Sequence, residues 1–213
     1  MRTSSLIAPC CDRCTHRPGS PCRDLIRCLS EGPICHKDEA CATSRQALLA
    51  KVRRGGEGTL VFVGAGTCGR ANGSTKVIAR IGDFLKEHNI AAHIVETGCI
   101  GYCQRELFVD VQMDGGPRLA YADINPGNID QLLGEVFLRS NLRNGFLYGR
   151  HGEAGPSWSD VPEINSTDFF KRQVKVVLRN AGIIDPGKLD SALAAGAFKS
   201  AARALCTMTP EEV

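Results

Sequence analysis

Apolar and polar positions divide the chain near residue 45. Before that point Pro9, Pro18, Gly19, Pro21, Gly32 and Pro33 interrupt every apolar run, leaving only residues 23–29 able to form a turn or two of helix. Such a segment buries too little apolar surface to fold unaided, so it is expected either to lack structure or to be held by metal. From Gly58 the pattern changes. Thr59-Leu60-Val61-Phe62-Val63 is the short continuous apolar run of a buried strand, followed by the glycine-rich loop Gly64-Ala65-Gly66-Thr67-Cys68-Gly69. Ser74 is expected to cap a helix reaching about residue 87, in which Val77, Ile78, Ile81, Phe84 and Leu85 recur at helical spacing. Residues 92–95 read as a second strand leading into Gly98-Cys99-Ile100-Gly101-Tyr102-Cys103. Residues 107–113 and 118–122 read as a hairpin around Asp114-Gly115-Gly116, and a helix over about 126–139 closes the unit.

The order strand, helix, strand, strand, strand, helix is that of an α/β fold with one sheet and covering helices, of the thioredoxin-like kind. Residues 141–166, with Gly145, Gly149, Gly152, Gly155, Pro156 and Pro162, read as a linker, in which Phe146 and Trp158 remain able to pack on a neighbour. Residues 168–178 read as strand-like, and two helices are expected over 188–194 and 197–205, with Cys206 as a core residue. Thr209, Pro210, Glu211 and Glu212 carry the capping residue, the first-position proline and the first-turn acids of another helix start. That start has no helix after it, so the final segment is expected to be a truncated α/β piece. The expected organisation is therefore a cysteine-rich arm over 1–45, a thioredoxin-like domain over 56–140, a linker over 141–166 and a truncated segment over 167–213.

Composition changes this picture chiefly through cysteine. There are 11 in 213 residues, and Cys10, Cys11, Cys14, Cys22, Cys28, Cys35 and Cys41 crowd into the arm. No apolar h-region precedes them and no stretch approaches a membrane span, so a cytoplasmic, reducing location is expected, where clustered thiols serve as metal ligands or redox groups rather than bridges. The formal net charge of +3 is scattered along the chain, which favours neither nucleic acid nor a membrane surface as partner. No Ser-His-Asp set or spaced pair of carboxylates suggests hydrolysis.

Candidate chemistry sits in two places. Cys99 and Cys103 lie in one glycine-containing loop and Cys68 in the other, and loops that follow neighbouring strands meet at one end of a sheet. Thiolates converging beside backbone N–H groups are what an iron–sulfur cluster requires. The alternative is a degenerate site whose cysteines are small buried hydrophobes. Gly64-x-Gly66-x-x-Gly69 also has the outline of a dinucleotide loop, with Glu96 formally in range, but the cysteine loops account for the glycines better. In the arm, Cys11-x-x-Cys14 is a half-site suited to zinc or to a cluster, and zinc, a second iron–sulfur cluster and a redox-labile tail all remain open there. A thiol–disulfide oxidoreductase is disfavoured because no C-x-x-C stands at the first strand-to-helix turn.

Val63-Gly64-Ala65-Gly66-Thr67-Cys68-Gly69, Gly98-Cys99-Ile100-Gly101-Tyr102-Cys103-Gln104-Arg105-Glu106 and Phe108-Val109-Asp110-Val111 resemble the thioredoxin-like [2Fe-2S] ferredoxin domain of NADH-dependent oxidoreductases. More specifically, they resemble its form at the N-terminus of the NADH-binding flavoprotein subunit of NADH:quinone oxidoreductases and NAD(P)-reducing hydrogenases. Residues 169–173, 178–186 and 208–213 are similar to the beginning of the flavoprotein domain of that subunit. The resemblance implies electron transfer through a [2Fe-2S] cluster on Cys68, Cys99 and Cys103, with other subunits of such a complex as partners. It implies that FMN and NADH sites belong to a downstream region, so that NADH oxidation is not expected of these residues alone. One departure is visible. The family carries a C-x4-C pair in the first loop, and here Val63 stands where the first cysteine would be. The competing reading is a docking module with a zinc-stapled arm and a degenerate cluster site.

Overall fold

The computed structural model describes residues 58–153 and 155–213. The readings made for the arm, including its seven cysteines, lie outside the described residues, as does the side chain of Cys206. One compact unit is Gly56–Ile183; Ile184–Val213 belongs to a second.

In the first unit, β1 (Thr59–Gly64) is followed by a short helix α1 (Thr67–Ala71), the longer α2 (Ser74–Glu87) and β2 (Ala92–Thr97). A 3₁₀ turn at Cys103–Arg105 precedes β3 (Val109–Gln112), β4 (Arg118–Tyr121), α3 (Ile129–Leu133) and β5 (Leu147–His151). The sheet order is β2-β1-β3-β4-β5. β1 and β2 are parallel, as a helical crossover between them requires, and every other pairing is antiparallel. The first four strands with α2 and α3 make the β-α-β then β-β-α layer expected of a thioredoxin-like α/β fold.

Alternation along β1 sets the two faces of the sheet. Val61 and Val63 point into a core shared with Val77, Ile81, Phe84 and Leu85 of α2 and with Ile129, Leu132 and Leu133 of α3. Leu60 and Phe62 face the other way, beside Val95. Each such side chain removed from water stabilises the fold by about 1.5–3 kcal/mol before entropy is counted. That other face also holds charge. Asp110 on β3 receives Arg118 of β4 at 2.5 Å, and His151 Nε2 on β5 lies 2.9 Å from the same carboxylate oxygen. The Arg118 guanidinium sits 3.6 Å from the Phe62 ring centroid and also donates to the Gly182 carbonyl at 2.6 Å.

Several expectations need correction. Ser74 is not the cap of α2. Gly73, at φ 91°, occupies that position and Ser74 is the first helical residue, its hydroxyl buried without a partner. The loop after β1 turns into helix at Thr67, so Cys68 lies in a helical turn rather than in open loop. α3 widens after Leu133 into a π turn over Gly134–Leu138, with the Arg139 N–H reaching the Gly134 carbonyl. Residues 141–166, expected as linker, contain β5, and Phe146, Leu147 and Trp158 pack against the main core. Residues 168–178 form turns joined by irregular backbone over 173–175 rather than a strand.

In the second unit α4 (Leu189–Ala194) and α5 (Lys199–Thr207) match the two expected helices. Thr209 and Glu212 form a reciprocal capping box over a single 3₁₀ turn, Pro210–Glu212. No helix among the described residues is long and apolar enough to cross a membrane.

Candidate metal centre

β1 and β2 are adjacent and parallel, so the segments leaving their carboxyl ends emerge at the same edge, where open α/β sheets bind ligands. Cys68 comes from the first of these segments, and Cys99 and Cys103 from the second. Their three sulfurs all lie within 4.8 Å of one another. A metal–sulfur bond of about 2.3 Å in a tetrahedral centre places sulfurs about 3.8 Å apart, so this spread suits thiolates that share a metal.

Small residues allow the approach. A Cβ on Gly66 would stand 3.0 Å from both the backbone nitrogen and the Cβ of Cys99, and one on Gly69 would stand 2.1 Å from the Gly64 carbonyl oxygen. Gly66 thus lets the two cysteine-bearing segments touch, while Gly69 lets the first segment fold back on the end of its own strand. Glu96 faces Arg70 at 3.9 Å, a long surface pair.

The sulfurs are polarised by near neighbours. The Cys68 thiol donates to the Cys103 sulfur at 3.3 Å, and the Gly101 N–H donates to the Cys99 sulfur at 3.3 Å. Cys99 donates in turn to Oε2 of Glu106 at 3.7 Å. The contact with Cys103, and then its charge, raise the Cys68 pKa. Burial pushes Cys99 up to about 11, against the pull of the Gly101 N–H. Burial likewise raises Glu106, with the Cys99 thiol working the other way. Lys175 has its ammonium 4.9 Å from the Phe170 ring centroid; burial lowers its pKa while the Cys99 charge opposes that.

Aromatic packing holds the Cys99–Cys103 loop from outside. Tyr102 stacks on Phe169 with centroids 3.8 Å apart and planes 7° apart, and meets Phe170 edge-on at 5.8 Å. Phe108 and Tyr148 complete the group, and Arg105 lies over Tyr148 while pairing with Asp123 at 2.6 Å. Ile100 fits against Gly182, where a Cβ would come within 2.4 Å of it.

The structure thus brings together Cys68, Cys99 and Cys103. Val63 does not join them: its side chain is fully buried among the valines and leucines of the main core and has no donor atom. The donor set fits a thiolate-bound metal in kind, and among these cysteines falls one ligand short of the four that an iron–sulfur centre uses. Directly after Cys103, Arg105 and Glu106 read in the sequence as residues that shape the cluster loop or contact a partner, and Glu106 was not marked there as a ligand. A lone acid after a cysteine has no spacing code that marks it.

No protein-family model matches the chain. Among solved structures, it is similar to a thioredoxin-like [2Fe-2S] ferredoxin from Aquifex aeolicus, with 18% identity and a TM-score of 0.38 over 46% of this chain and 97% of that one. Likeness that distant carries no residue roles across.

Proposed function

We propose that the chain is an electron carrier, in which Cys68, Cys99 and Cys103 hold an iron–sulfur centre within an NADH-dependent oxidoreductase or hydrogenase complex. The observation that carries this reading is the convergence of three thiols within 4.8 Å at the carboxyl ends of two adjacent parallel strands. A bound iron–sulfur cluster supplies a one-electron couple. The chain's own residues do the rest. Gly101 directs an N–H at one sulfur, Gly66 allows the two segments to meet, and the Tyr102, Phe108, Tyr148, Phe169 and Phe170 rings cover one side of the loop. Sulfur-directed N–H groups and a partly apolar surround are the means by which a protein sets the potential of such a centre. The complex is supported by the sequence resemblance, with partner subunits supplying the flavin and nicotinamide chemistry.

Iron, acid-labile sulfide and zinc per chain, measured on anaerobically purified protein with EPR after reduction, test this. Wild type is expected to carry iron and sulfide with a reduced-cluster signal, and Cys99→Ser to lose a signal that Cys14→Ser in the arm retains. Zinc without sulfide would replace the electron carrier by a zinc-stapled docking module.

A further inference from the structure

Three thiols leave one coordination position to fill, and the structure holds a side chain suited to it. Glu106 follows the Cys103–Arg105 turn, and its carboxylate reaches the Cys99 sulfur, with Oε2 3.7 Å from Sγ. Oε1 fills the space beside Gly64, where a Cβ would come within 2.8 Å of it. Gly64 immediately follows Val63, so the carboxylate comes close to the part of the first loop where the missing cysteine would have stood.

Among the described residues no Lys, Arg or His forms an ion pair with Glu106, and its polar contact there is the Cys99 thiol. Behind it lies a slot of about 10 Å³ lined by Gly64, Thr97, Glu106, Phe108, Asp110 and Arg118, among others. That volume admits at most one water. The cation lining the slot is engaged elsewhere: both Arg118 Nε and Nη2 donate to Asp110 Oδ2, at 2.9 and 2.5 Å, and Nη2 also donates to the Gly182 carbonyl. A half-buried carboxylate in contact with one of the three thiols, with the neighbouring arginine committed to another acid, is a donor that a cation bound by those thiols would draw in.

We infer that Glu106 is the fourth ligand of the metal centre, completing a set of three thiolates and one carboxylate. This rests on the metal-centre reading of Cys68, Cys99 and Cys103, and adds the residue that closes it in place of Val63. A hard oxygen donor beside three soft sulfurs distinguishes the site from an all-cysteine one and remains compatible with iron, zinc and cobalt.

The full chain, reduced and anaerobic, is titrated with Co²⁺ alone, whose visible and near-ultraviolet bands report ligand type and number. Wild type is compared with Glu106→Gln, Glu106→Cys, Cys99→Ser and Cys99→Ser/Glu106→Gln; the arm's thiols are common to all five and cancel in the differences. Glu106→Gln, with unchanged circular dichroism, is expected to weaken Co²⁺ binding at this site by about tenfold or more, since even residues that only support a ligand are worth about 10- to 100-fold. Glu106→Cys is expected to bind and to strengthen sulfur-to-cobalt absorption beyond wild type, which a role in folding alone would not produce. The double variant is expected to lose less than the two single losses multiplied together, because both residues act on one ion. If Cys99→Ser alters the spectrum while both Glu106 variants match wild type, the carboxylate is not a ligand and the three-thiol centre stands. If Cys99→Ser changes nothing, the centre itself falls, and Glu106 with it.

Discussion

Asp110 shows how one residue can fix the acid limit of the fold. It is almost wholly buried between Arg118 and His151. Burial alone would raise its pKa, but the charges of Arg118 and then His151 outweigh that and hold it below the ordinary 3.8. A folded-state pKa depressed below the unfolded value gives stability that is fully present above the unfolded pKa and lost as pH falls through the folded one. Urea unfolding between about pH 5 and pH 2 should therefore show wild type losing stability steeply at the acid end, whereas Asp110→Asn loses less over the same window. At neutral pH that variant should be weaker by about 3–5 kcal/mol, because Arg118 is left buried without its partner. Equal acid slopes in the two proteins would show that Asp110 does not control this limit. At this scale the site was half legible. The Cys99–Cys103 spacing and the position of Cys68 after a strand announced themselves, whereas Glu106 and Asp110 sit among ordinary strand and loop residues, and their roles arise from burial that no local pattern encodes.

Among the elements, α2 was readable because its apolar positions keep the helical period and face the main core, and β1 because a continuous apolar run fits a strand buried on both faces. β5 was not. Its glycines and the prolines after it have the composition of a linker, yet Gly149 lies where a Cβ would come within 2.8 Å of the Pro162 carbonyl, and the Arg150 N–H donates to that same carbonyl at 2.9 Å. The glycine is there for a close chain crossing rather than for freedom. The Phe169-Phe170 segment misled in the opposite sense: its rings are used to stack on Tyr102, while Val174, Val176 and Val177 remain exposed and pair with no strand. β5 also covers the free edge of β4. A chain ending at Asn144 would uncover that edge, and unpaired edges recruit other chains. Light scattering across a concentration series should show the shortened chain associating under conditions where the full chain does not; an equally monodisperse shortened chain would mean that β5 does not protect the edge.

For the molecule as a whole, the centre is assembled by topology. Cys68 and Cys103 are 35 positions apart in sequence, and the helical crossover between parallel strands delivers them to one place, with sulfurs 3.3 Å apart and both thiols free. Proximity of this kind has a consequence for handling. In air, a chain emptied of metal should give up two electrons and two protons to dioxygen from this pair, joining the segments after β1 and β2 by a covalent bond. Mass spectrometry of peptides from an aerated, chelator-treated sample should find Cys68 linked to Cys103 in preference to Cys99, whose proton is held more tightly by burial. Finding all three thiols still free after aeration would count against it. Protein prepared in air would then refuse iron because its ligands had already been consumed, and a thiol reductant, rather than more iron, would restore uptake.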